Sequence, residues 1–117
     1  MTSVVNVKVK NIRPEYDNLK EWMANPNNIY IGRQGVVFVD GERWPKQSSE
    51  WCNPYKITAG KLTREDVLLK YKEHLNNKLE DSETLRRFVA LKGKNLGCWC
   101  KPEMCHGDII KEKLETM

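Results

Sequence analysis

Three of the four cysteines, Cys98, Cys100 and Cys105, fall within eight residues, and His106, Gly107 and Asp108 follow at once. This grouping supports three kinds of chemistry. A thiol beside an imidazole is the pairing of a nucleophile with its base. On that reading Cys105 or Cys100 attacks, His106 moves the proton and Asp108 orients the ring. The same side chains supply a Cys₃His donor set of the kind structural zinc takes, with Cys98, Cys100, Cys105 and His106 spaced C-x-C-x₄-C-H. Adjacent ligands at 105 and 106 are awkward for one tetrahedral ion. The plainest reading makes Cys98 and Cys100 small apolar core residues.

A second group carries recognition chemistry. Arg33 follows a glycine at the end of a predicted strand, where a guanidinium can grip a phosphate or carboxylate in a fork. Tyr30, Trp51, Asn53 and Tyr55 add aromatic faces and an amide that could stack on a base and read its edge. Each of these residues also has a structural explanation. Asn53-Pro54 is a common loop dipeptide, and a tryptophan in a loop often covers the core.

The elements that must position these groups follow from periodicity. Val5, Val7 and Val9 alternate with polar residues, as in a strand with one buried face. Pro14 opens a helical stretch containing Tyr16, Leu19 and Met23, and Pro26 closes it. Residues 29–31 and 36–39 read as strands, the latter followed by the Asp40-Gly41 turn signal. Residues 44–62 lack periodicity. Thr63-Arg64-Glu65-Asp66 has the form of a capping box ahead of a stripe of Leu68, Tyr71, Leu75 and Leu79. His74 on that helix reads as a solvated surface residue. A second helix carries Leu85, Phe88 and Val89 and stops at Gly93. Residues 95–100 form a buried strand, and a last helix starts near Gly107.

This order predicts one domain over residues 1–117, of α/β or α+β class. Helices pack on a central mixed sheet, with the first and last strands at its centre. Residues 95–117 form a Rossmann-like strand–helix unit. Alternation puts Cys98 and Cys100 on one face of the last strand and Trp99 on the other. The end of such a strand and the start of the next helix make the usual ligand crevice of α/β sheets, and unpaired amides there favour anions and thiolates.

Composition sets outer bounds. The chain has 117 residues, 31% of them charged, and a formal net charge of +4. That charge helps anionic ligands approach without forming a nucleic-acid footprint. No apolar run nears the ~18 residues of a membrane span. The first residues lack a signal-peptide pattern, so clustered cysteines predict a reducing, cytoplasmic setting.

Several stretches together resemble the domain-of-unknown-function 4326 family. They are Val4-Val5-Asn6-Val7, Tyr30-Ile31-Gly32-Arg33, Trp51-Cys52-Asn53-Pro54-Tyr55, Thr63-Arg64-Glu65, Leu91-Lys92-Gly93-Lys94, and Leu96 to Pro102 with Cys105-His106-Gly107-Asp108. The resemblance implies a compact domain, kinship with small phage, viral and microbial proteins, and no particular reaction. Where the family usually has glycine, this chain has Cys52.

The leading expectation is a pocket for a nucleotide-like or other anionic small molecule. Tyr30, Arg33, Trp51 and Asn53 lie on one side and Cys100, Cys105, His106 and Asp108 on the other. Whether it also processes that molecule is left open, as is its cofactor. The alternatives are a zinc-stabilised interaction module and a weak nucleic-acid binder.

Overall fold

The computed structural model describes residues 2–55, 60, 62–99 and 105–117. The elements run β1 (Ser3–Asn6), α1 (Val9–Ile12), α2 (Leu19–Ala24), β2 (Asn28–Tyr30), β3 (Val37–Val39), β4 (Glu42–Trp44), α3 (Arg64–Lys78), α4 (Ser82–Val89), β5 (Asn95–Cys98) and α5 (His106–Glu115). The class is α+β. The parallel and antiparallel strands occupy two separate sheets, one in the order β1-β5-β2 and the other a β3-β4 hairpin. Only β5 is central; β1 is an edge strand, contrary to the expectation that both would sit in the middle. Both neighbours run parallel to β5, with Val4 and Ile29 aligned on Leu96 from either side.

Local chemistry sets the boundaries. β1 stops before the predicted alternation ends, because the Asn6 side chain accepts the Lys8 amide at 2.9 Å and turns the chain. Val9 therefore begins a short helix instead of extending the strand. α2 starts later than Pro14 suggests: Asn18 caps it by accepting the Glu21 amide at 2.9 Å. The capping box holds as predicted. Thr63 and Asp66 exchange side chain–backbone bonds of 3.0 and 3.2 Å at the start of α3. At the hairpin tip Asp40 and Gly41 both have positive φ, 52° and 81°, as a two-residue primed turn requires.

The three-stranded sheet separates two apolar clusters. On one face Leu96, Cys98 and Ile31 meet Tyr71 and Leu75 of α3, Phe88 of α4, and Ile110 and Leu114 of α5. On the other, Val7, Tyr30 and Trp99 meet Ile12, Leu19 and Trp22. Gly97 lies where the Trp22 ring crosses β5. A Cβ there would come within 2.5 Å of the ring, so the strand has a glycine at its centre because the indole takes that space. Among the described residues no helix is long and apolar enough to cross a membrane.

Candidate functional site

A cavity of about 380 Å³ lies where β5 ends and α5 begins. Two walls of different construction enclose it, and α3 forms its side.

The loop-side wall depends on Arg33. The Tyr30 hydroxyl donates to the Arg33 carbonyl at 2.8 Å and accepts the Trp99 indole N–H at 2.9 Å. These bonds fix the backbone just past β2. From there the Arg33 side chain reaches across to the 53–55 loop. Its Nε and Nη2 donate to the Asn53 carbonyl at 3.2 and 2.6 Å, and Nη2 also donates to the Tyr55 carbonyl at 3.2 Å. The Asn53 side-chain oxygen accepts the Tyr55 amide at 2.9 Å, an Asx turn that aims both carbonyls at the guanidinium. Among the described residues no acceptor is bonded to Nη1. Arg33, Asn53 and Tyr55 all line the cavity, as does Arg64 at the head of α3.

The helix-side wall is made of Cys98, Trp99, Cys105 and His106. Cys98 is the last residue of β5 and Cys105 the N-cap of α5, and their sulfurs are 3.2 Å apart. Both are buried. The Cys98 contact and burial push the Cys105 thiol well above its ordinary pKa, so it stays protonated and weakly nucleophilic near neutral pH. Asp108 caps its own helix by accepting the Cys105 amide at 2.9 Å. His106 Nε2 lies 2.7 Å from the Ile31 carbonyl. A carbonyl only accepts, so Nε2 carries the proton and Nδ1 the lone pair of the neutral ring. Burial, assisted by the charge of Arg33, lowers the His106 pKa; the Ile31 bond opposes them. The ring packs edge-on against Tyr71, with centroids 5.1 Å apart.

Arg33, Asn53, Cys98, Cys105 and His106 therefore border one space, although they come from segments far apart in the chain. Tyr30 is buried behind that wall and acts on it through its hydroxyl. Trp51 is also buried, edge-on to Phe88 at 5.4 Å, and its carbonyl accepts the Tyr71 hydroxyl at 2.7 Å. It sits in the core beneath the loop, away from the cavity lining. Cys100 lies outside the described residues. His74 is half-buried between the rings of Tyr55 and Tyr71 instead of being fully solvated.

Sequence reasoning overlooked Trp99, Arg64, Val67 and Leu68 as lining residues. Strand alternation had assigned Trp99 to the face opposite Cys98. Both reach the cavity because it lies at the end of the strand, which closes with Cys98. The one usable signal was position, since Trp99 stands one residue past the last paired strand residue. As for metal, Cys98 and Cys105 converge, but among the described residues no three ligating side chains gather in a group that could hold an ion.

A relative from Enterobacteria phage T4, an uncharacterized 12.4 kDa protein of the nrdA-td intergenic region, is 38% identical over 61 residues. The match covers 51% of this chain and 55% of the phage protein, so the chain spans about half the length of that relative. No solved structure matches. The family model described as "Domain of unknown function (DUF4326)" matches residues 15–116, which take in both walls of the cavity, and the chain belongs to that family.

Proposed function

We propose that the cavity binds a small anionic molecule with a flat ring, of nucleotide-like character. The supporting observation is the state of Arg33. Backbone carbonyls hold its guanidinium in place, so little side-chain entropy remains to be lost on binding. Its Nη1 edge keeps two donors for a phosphate or carboxylate. The remaining lining suits a ring: the Trp99 indole, the apolar side chains of Val67 and Leu68, and a neutral imidazole with one acceptor nitrogen. The volume of about 380 Å³ lies near the lower end of the roughly 300–1,000 Å³ range of small-molecule sites. That size favours a nucleoside or mononucleotide over a dinucleotide. The position past the carboxyl end of the central parallel strand is where such sheets ordinarily bind ligands.

The test is thermal-shift and calorimetric titration with nucleosides, mononucleotides and simple phosphate or carboxylate anions. A mononucleotide should stabilise the protein, and Arg33→Met should weaken its binding roughly 10- to 100-fold, as expected for a lost charge-assisted bond. A protein indifferent to every compound in the panel would refute the proposal. Zinc at one equivalent in the purified protein, with unfolding by chelator, would favour the metal reading instead.

A further inference from the structure

Ligand binding gives the two thiols of the helix-side wall no task. Cys98 and Cys105 are 1% and 2% exposed, and both line the cavity. Their sulfurs lie 3.2 Å apart. A disulfide needs about 2.05 Å, so bonding requires an approach of roughly 1 Å, which small side-chain rotations can supply. Each sulfur sits at the end of a regular element, one closing β5 and the other capping α5. The pair is held by the fold, and the cavity is the side from which a small reagent would approach it.

We propose that Cys98 and Cys105 form a dithiol that a small disulfide, entering through the cavity, oxidises to an intramolecular disulfide. Cys98, whose sulfur accepts the Cys105 S–H, loses its proton and attacks one sulfur of the reagent, RS–SR. The S–S bond of the reagent breaks and RS⁻ leaves, taking up a proton as RSH. The second protein thiol then loses its proton and attacks the protein sulfur of the mixed disulfide, and a second RSH departs. Two protein thiols and one RS–SR become one protein disulfide and two RSH. The protein gives up two electrons and the reagent accepts them. The product ties the end of the central strand to the first turn of α5 and alters the wall beside His106. This inference does not depend on what the cavity binds.

Hydroxyethyl disulfide is a suitable probe, applied to a chain carrying Cys52→Ser and Cys100→Ser. The expected product has no free thiol, has lost two hydrogens by intact mass, retains no hydroxyethyl group, and gives a Cys98–Cys105 cross-linked peptide on digestion. Adding either Cys98→Ser or Cys105→Ser should stop the reaction at a single stable adduct on the remaining cysteine. Two separate adducts on the paired chain, or both thiols still free after exhaustive treatment, would overturn the proposal. Should the doubly substituted chain fail to fold, peptide mapping of the unaltered protein decides. A Cys98–Cys105 link supports the pair, and linkage of either to Cys52 or Cys100 refutes it.

Discussion

The two walls of the cavity are polar and apolar counterparts. The loop-side wall is a charged side chain held by backbone oxygens: Arg33 crosses to the carbonyls of Asn53 and Tyr55. The helix-side wall consists of reactive residue types whose reactivity is restrained. Two thiols face each other out of water, and an imidazole is kept neutral by burial. A guanidinium retains its charge wherever the fold puts it, whereas thiols and imidazoles take their character from their surroundings. Residue type alone is therefore a better guide to the first wall than to the second.

The two tryptophans offer the sharpest way to break this contrast. Trp51 packs in the core and Trp99 borders the cavity. Trp51→Ala should cost about 3–5 kcal/mol in chemical denaturation, a cavity-forming change in the core. Trp99→Ala should cost less and should instead weaken ligand binding. If Trp51→Ala folds normally and only binding suffers, the division between core and site is drawn wrongly. Arg33→Met ranks next. It leaves the Asn53 and Tyr55 carbonyls without their donor, and about 1–3 kcal/mol of stability should be lost. Faster hydrogen exchange at the Tyr55 amide should accompany that loss, because the Asx turn is then unsupported.

On the other wall, Asp108→Ala removes the acceptor for the Cys105 amide and should cost about 1 kcal/mol, as N-terminal caps do. The effect should be read as a lower melting temperature with the sheet intact. The smallest expected effect is a slope. Burial lowers the His106 pKa below its unfolded value of 6.5, so the unfolded chain binds the proton more readily. Stability should fall as the pH drops below about 6.5 and level off beneath the folded-state pKa. His106→Gln, whose amide can still donate to the Ile31 carbonyl, should flatten that slope between pH 7 and pH 5. An unchanged slope would mean that the ring is solvated.

Much of this arrangement was legible in the sequence, though unevenly. The α3 capping box and the Asp40-Gly41 turn were readable because each depends on a few adjacent residues, whereas the second long helix ends at Val89, before the expected stop at Gly93. Arg33 and Asn53 were legible as members of one group, but the bond between them was not. The residues stand 20 positions apart, and the bond is to a main-chain oxygen that any residue would provide. Trp51 was misleading because aromatic type does not distinguish a core residue from a stacking platform. Alternation assigned Cys98 to one face and Trp99 to the other, and it was right about their packing. It could not show that an opening at the strand end admits both. The order of strands was hidden as well, since short parallel strands carry no mark of which one will be central.

That strand order has a consequence for how the protein is made. Among the described strands, β1 and β2 each pair with β5 alone, and β5 is the last of them to leave the ribosome. Ser3 must wait for Asn95 before it has a neighbour. Pairing across so much chain slows folding, and until it happens two apolar strands remain without partners. The sheet closes only when the segment bearing Cys98 arrives, so a nascent chain that stalls before Asn95 holds all of Arg33, Asn53 and Tyr55 and lacks the central strand and the helix-side wall that complete the site.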